Sequence, residues 1–318
     1  MCRHVAVILV LLSTCQAGPA VQAGTDPFVV DTLLDGVWLF RAPGSPGSHT
    51  NSLVIERDSG LLVVEAQPSP ESASQLIRAI GSVSKKPIQY LVLSRSSVES
   101  TGGAAAFPET ALVISSAVTH EVLADESRDI AGAARLRAPD PAAWVAPPRV
   151  LPELLLSSAV ELLDGKHRIR LMPILRGHHA GFVMLSLEEE EFYYVGTMIS
   201  AERNPYADME HSDMRAWVNS LNNLSMLRPR WIVPSSGEPI RTDQLRRFRD
   251  SLAWVIGQVE NAFIERVEVD QVVSFAMDSP KLGEYFDLGA EPSFVNSLFE
   301  KALEESSQTA RKRAGGGP

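Results

Sequence analysis

Cysteine is nearly missing from this chain: among 318 residues there are only Cys2 and Cys15, both at the extreme N terminus. A chain processed beyond that terminus has no disulfide to tie it and no thiolate to serve as nucleophile or soft metal ligand. Histidine is scarce too. There are seven, with none between His49 and His120, so clustered imidazoles cannot arise in that stretch. Basic residues are in the minority, 29 Lys and Arg against 39 Asp and Glu, and the formal net charge of −10 makes nucleic acid and anionic membrane poor partners. Long apolar runs are absent. The leading one, Val5 to Leu12, is short of the ~20 residues that a membrane-spanning helix needs.

What stands at the N terminus reads instead as an export signal. Arg3 and His4 form a short charged region, Val5 to Leu12 the apolar one, and Val21-Gln22-Ala23 a small-residue cleavage site. Residues 1–23 are therefore expected to be a signal peptide, and the mature protein to be exported, to the periplasm. Its removal takes away Arg3 alone among charged residues, which leaves 28 basic against 39 acidic residues and a charge of −11. A second reading makes Cys15 a lipid anchor, since Leu12-Ser13-Thr14-Cys15 resembles a bacterial lipobox, although Thr14 fits that pattern poorly.

Further along, apolar residues alternate or run together in short stretches bounded by turn residues, the mark of strands. Gly36 to Phe40, Asn51 to Glu56 and Leu61 to Ala66 read this way, the last two joined by Asp58-Ser59-Gly60. Ser69 with Pro70 opens a helix through Leu76, Ile77 and Ile80. Pro87 to Leu93 and Ala111 to Ser115 are strands, and Ala138 to Pro152, rich in proline and alanine, is a crossing loop. Strands resume at Val160 to Leu163, Arg168 to Ile174, Phe182 to Leu187 and Phe192 to Val195, the last pair meeting at Glu188 to Glu191, read as a solvated turn. Two amphipathic helices carry Met214, Trp217, Leu221 and Leu224, with Ser212 as the expected cap, and Leu245, Phe248, Leu252, Val255, Val259 and Phe263. Strand blocks alternating with helices predict an α/β architecture: two sheets packed face to face with helices outside. Residues 24–268 are assigned to that domain, 269–305 to a helical extension packed on it, and 306–318, with Arg311-Lys312-Arg313 and three glycines, to a disordered tail.

The stretch Leu91 to Gly103 reads Leu-Val-Leu-Ser-Arg-Ser-Ser-Val-Glu-Ser-Thr-Gly-Gly: a strand end, a loop of hydroxyls, and a Gly-Gly that opens a helix with close backbone approach. It resembles the ligand loop of metallo-β-lactamase-fold hydrolases, H-x-H-x-D-H followed by a small residue and Gly-Gly. The resemblance continues at Arg176-Gly177-His178-His179, where the family has Gly-His-Thr. It continues at Gly196-Thr197 in place of Gly-Asp, and at Pro234-Ser235-Ser236-Gly237 in place of Pro-Gly-His-Gly. It implies the four-layer αββα sandwich and, in the family, a dinuclear zinc site.

The frame is kept and the ligands are changed. By this resemblance one metal would fall to Arg95, Ser97 and His178, the other to Glu99, Ser100 and Ser236, with Thr197 between them. Only His178 and Glu99 are ordinary ligand types, and they belong to different metals. Tetrahedral zinc wants about four N, O⁻ or S⁻ donors, and a guanidinium cannot lose its proton to become one. The expectation is that the metal site is absent, that no other cofactor replaces it, and that Arg95 pairs with Glu99 where the metal would sit. A serine nucleophile among Ser97, Ser100 and Ser236 with His178 as base is the other chemistry these residues allow.

Near the C terminus, Tyr285-Phe286-Asp287-Leu288, Asn296-Ser297-Leu298-Phe299 and Leu303-Glu304-Glu305 resemble the tail of exported metallohydrolases associated with quinoprotein dehydrogenases and sulfur oxidation, with Ser293 where a histidine is expected. The resemblances imply a catalytically degenerate hydrolase-fold protein, exported, binding a small molecule or a periplasmic protein in a quinoprotein-linked oxidation system. The alternative is an active hydrolase of an ester or thioester, using one weakly held metal at His178 and Glu99 or a serine nucleophile. A structural partner using an exposed apolar stripe on residues 245–263 is a third possibility.

Overall fold

A computed structural model describes residues 28–41, 50–131, 135, 142, 144–199, 201, 207, 209–210, 212–287 and 292–314. The expected signal peptide with Cys2 and Cys15 lies outside the described residues, as do His49, His211 and Asn204-Pro205-Tyr206, the last two in the segment that the resemblance sets beside a substrate pocket. Two sheets form the centre. The first has seven strands in chain order: β1 (Val29–Leu34), β2 (Val37–Arg41), β3 (Ser52–Glu56), β4 (Leu61–Val64), β5 (Ile88–Val92), β6 (Leu112–Ser116) and β7 (Leu154–Leu156). β1 to β4 pair antiparallel and β4 to β7 parallel, so the connections after β4 cross over through helices. The second sheet runs β12 (Trp231–Pro234), β11 (Phe192–Gly196), β10 (Phe182–Leu187), β9 (Ile169–Ile174), β8 (Val160–Leu162). All its pairs are antiparallel except β11 with β12.

Strand β4 shows why the layers form. Its four residues, Leu-Leu-Val-Val, are all fully buried, yet they divide by alternation. Leu62 and Val64 join the cluster between the sheets, with Leu53, Ile55, Leu171, Val183 and Leu185. Leu61 and Val63 join an outer cluster with Ala73, Leu76 and Ile80. A strand covered on both faces has no polar side to show, hence the unbroken apolar run. The cover is α1 (Pro70–Val83), which Ser69 starts through a reciprocal capping box with Ser72. Short α2 (Val98–Thr101) and α3 (Ala117–Ala124) follow β5 and β6. On the far side of the second sheet lie α4 (Met214–Met226) and α5 (Thr242–Ile264), then α6 (Val272–Met277), α7 (Leu282–Tyr285) and α8 (Pro292–Ala314). The layers are those of an αββα sandwich with added C-terminal helices.

Several details depart from the sequence reading. β1 and β7 were not expected: β1 is an edge strand of mixed burial and β7 has three residues, too few for a pattern to show. The helix α8 continues to Ala314, past Ser306 where the tail was placed. Elongation of a helix that already exists costs little, and Gln308, Ala310 and Arg311 are good helix formers. The apolar stripe of α5 is not exposed: Leu245, Leu252, Val255 and Val259 are fully buried, and Trp254 stacks on Tyr285 at 5.4 Å between centroids and meets Phe299 edge-on at 6.0 Å. That burial counts against docking through this face.

The end of the sandwich at the start of β4 is closed by charge. Arg57 in the β3–β4 turn pairs with Asp164 in the β8–β9 turn, and Ser59 Oγ donates to Asp164 at 2.7 Å. His167 is buried, with Nδ1 against Glu190 in the β10–β11 turn and Nε2 2.8 Å from the Asp35 carbonyl in the β1–β2 turn. Glu190 is thus a bridging carboxylate rather than part of a merely solvated tip, while Glu188 meets Arg170 at 2.8 Å.

Candidate functional site

At the opposite end, the C-terminal tips of β4, β5, β11 and β12 come together with the start of β10. Val183 N donates to Ser94 O at 2.8 Å, joining the end of β5 to the second sheet. The loop after β5 turns sharply, Ser97 caps α2 by position, and Thr101 Oγ1 returns to Ser97 O at 3.0 Å. The Gly-Gly works by close approach: a Cβ on Gly102 would lie 2.2 Å from Pro68 O, and one on Gly103 2.1 Å from Ala66 O. Backbone bonds from Ala66 N to Ser100 O (2.8 Å) and from Gly103 N to Gln67 O (2.7 Å) use that proximity.

Within this loop Arg95 and Glu99 pair as the sequence suggested. Arg95 Nη2 is 3.7 Å from Glu99 Oε2, and the side chains are 10% and 13% exposed. Behind them stands Glu65, fully buried, accepting from Ser94 Oγ and, at 2.9 Å, from Tyr194 O–H. Burial pushes the Glu65 carboxyl up; the Ser94 bond, the Arg95 charge and the Ser100 and Tyr194 hydroxyls pull against it without winning. Burial, then the nearby Glu65 charge, lifts the Tyr194 phenol well above its ordinary range. Ser100 sits near enough to favour Glu65's charged form, yet its Oγ falls outside hydrogen-bond geometry.

Glu65 and Gln67 both adopt φ of 72°, unusual for residues with a side chain and worth about 1–3 kcal/mol of strain each. Gln67 Nε2 donates to Thr50 O at 2.6 Å and to Ser52 Oγ at 2.7 Å. Asn51 then reaches the β12 turn, its Nδ2 donating to Pro234 O at 3.0 Å and Gly237 O at 2.8 Å. That turn, which carries half-buried Ser236, is tied to the end of β11 by Ser235 N donating to Gly196 O at 3.0 Å, next to Thr197. His178 is buried on the second-sheet side with its ring 4.6 Å from that of Trp217, edge to face. Its carbonyl accepts from Ser212 Oγ at 2.7 Å. Ser212 was expected to cap α4; Asp213 does so instead, accepting from Ala216 N at 2.8 Å, because its carboxylate is the one placed at the helix start. Glu65 Oε2, Gln67 Oε1, Ser97 Oγ, Ser100 Oγ and Thr197 Oγ1 are buried and make no hydrogen bond among the described residues.

Glu65, Gln67, Asn51 and Tyr194 escaped the sequence reading. The signal for Glu65 was available: a carboxylate follows four apolar residues directly at a strand end, where a solvated charge has no reason to be.

No protein-family model matches the sequence, and no curated protein matches it. Solved structures do match. A metallo-β-lactamase from Pontibacter korlensis superposes with a TM-score of 0.59 at 15% identity, over 71% of this chain and 99% of that one. The chain has the metallo-β-lactamase fold. The metallo-β-lactamase FIM-1 from Pseudomonas aeruginosa, in its mono-zinc form, matches with a TM-score of 0.57 at 16% identity, over 71% of this chain and 95% of that one. The inverting sec-alkylsulfatase Pisa1 from Pseudomonas sp. gives 0.65 at 15% identity, over 86% of this chain and half of the alkylsulfatase. As a metallo-β-lactamase-fold chain it therefore presents, on the loop expected to carry metal ligands, a guanidinium and a carboxylate facing each other.

Proposed function

We propose that this chain is a catalytically degenerate metallo-β-lactamase-fold protein, exported to the periplasm, that binds a small molecule or supports a periplasmic protein such as a quinoprotein-linked oxidation system. The observation that carries the reading is the Arg95–Glu99 pair. A permanent cation on the ligand loop takes the electrostatic role of a metal and repels one, and it already engages the only carboxylate in the expected ligand set. The donor set does not fit a dinuclear zinc centre: the remaining positions offer the neutral hydroxyls of Ser97, Ser100, Thr197 and Ser236 and a single imidazole, His178. The alternative with one metal between His178 and Glu99 would have to break the ion pair. Export rests on residues 1–23, and the link to quinoprotein systems on the C-terminal resemblance.

The test is elemental analysis of residues 24–318 after equilibration with zinc, manganese and iron, alongside hydrolysis assays on esters, thioesters and secondary alkyl sulfates with and without chelator. The reading expects less than stoichiometric metal and no turnover. A stoichiometric metal with chelator-sensitive hydrolysis overturns it; chelator-insensitive hydrolysis lost in Ser97→Ala or Ser100→Ala establishes the serine alternative.

A further inference from the structure

The helix α8 holds the molecule with two different faces. Val295, Leu298, Phe299 and Ala302 are buried in the core, with Phe299 against Trp254 of α5. Ser297, Lys301 and Glu305 recur every four residues, which sets them in one stripe along the helix. That stripe meets main-chain groups of Ala207, Met209 and Met214 in matching order. Ala207 N donates to Ser297 Oγ at 3.0 Å, Lys301 Nζ donates to Met209 O at 2.6 Å, and Met214 N donates to Glu305 Oε1 at 2.7 Å. Lys301 is only 7% exposed, and its second bond, to Glu304 at 2.9 Å, lies within its own helix. The Met214 amide is among the first of α4, a group no residue inside that helix can accept from, so α8 completes the cap that Asp213 begins.

The gripped segment runs directly into the candidate site. Asp213 N donates to Gly177 O at 2.7 Å and Ser212 Oγ to His178 O at 2.7 Å, so the backbone that carries His178 hangs from residues 212–213. Trp217, one turn further on in α4, packs edge to face on the His178 ring and is itself anchored by Nε1 donating to Met198 O at 2.9 Å.

We propose that Ser297, Lys301 and Glu305 are positioning residues for the His178 side of the site, acting as a strap through segment 207–214. The inference stands whether the site binds or catalyses. It uses α8 as an element whose attachment decides where His178 sits, so that anything drawing α8 away from the segment alters the site without touching it.

The experiment compares full-length wild type with Ser297→Ala, Lys301→Met, Glu305→Ala and the conservative Glu305→Gln, using exposed Gln308→Ala as control. Hydrogen exchange is read peptide by peptide, and the His178 ring carbon–proton signal by NMR. The expected result is a loss of protection of about tenfold or more in 207–214 and 176–181 for Lys301→Met and Glu305→Ala. Peptides from β4 and β10 stay at wild-type protection, Glu305→Gln is partly restored through its amide carbonyl, and the His178 signal shifts as the ring moves against Trp217. Should Lys301→Met or Glu305→Ala fail to fold, Ser297→Ala and Glu305→Gln carry the comparison through the local exchange around Ala207 and Met214. Wild-type protection of 207–214 and an unmoved His178 signal in the folded variants overturn the proposal. So does a loss of protection that is equal in β4 and β10.

Discussion

Replacing Arg95 by Met removes the guanidinium but keeps most of the stem that fills its place. At 3.7 Å, two unit charges attract by about 4 kcal/mol with an effective dielectric constant of about 20. Much of that is offset in the native pair by the loss of hydration of both groups. The offset does not help the single variant, in which Glu99 stays 13% exposed with its counter-charge gone and Glu65 loses the cation that favours its ionised form. Breaking a buried pair from one side costs about 3–5 kcal/mol, and this is the loss expected for Arg95→Met. Adding Glu99→Gln removes the carboxylate charge as well, so Arg95→Met/Glu99→Gln should return to within about 1–2 kcal/mol of wild type. Urea unfolding at one fixed salt concentration, followed by tryptophan fluorescence and far-UV circular dichroism, measures all four corners of the cycle. A cost below about 1 kcal/mol for Arg95→Met, with an additive double variant, refutes the idea that the pair replaces a metal's charge.

Glu65→Gln tests the buried carboxyl. Its folded pKa is raised, so its contribution is fully present below the ordinary carboxyl value and is lost as pH rises through the folded value. The stability of Glu65→Gln relative to wild type should therefore increase from acid to neutral pH in thermal unfolding, and a difference that shrinks with rising pH contradicts the assignment. Gly103→Ala places a Cβ against the Ala66 carbonyl and should cost about 1–3 kcal/mol or more in the same urea assay. Trp217→Ala empties a fully buried site and strands the Met198 carbonyl, for a loss of about 3–5 kcal/mol and a moved His178 NMR signal.

The parts of this molecule that were legible in the sequence are those fixed by local rules. The unbroken Leu61–Val64 run, the Ser69-Pro70 helix start and the Gly102-Gly103 close approach each state a physical requirement that few other residues meet. The Arg95–Glu99 pairing was legible because the resemblance sets both side chains at the metal position, where a carboxylate kept from water needs a cation. What stayed hidden depends on partners far away in sequence. Glu65 needs Tyr194 to explain it, Gln67 needs Thr50 and Ser52, and His167 has no visible role until Asp35 and Glu190 close around it. The C-terminal helix overran its expected end for a related reason: composition reports the solubility of a segment, not whether a helix already packed upstream will carry it along.

The charged closure at the far end has a consequence for how such a site can change. Arg57–Asp164 and the His167 bridge bind the two sheets through turns that share no residue with the site loops. Costs at well-separated places add rather than compound. A ligand exchanged for a serine or an arginine at one end therefore leaves the seam at the other end at full strength, and each exchange is met singly. A sandwich clasped in this way can be rewritten at its mouth one residue at a time while remaining shut.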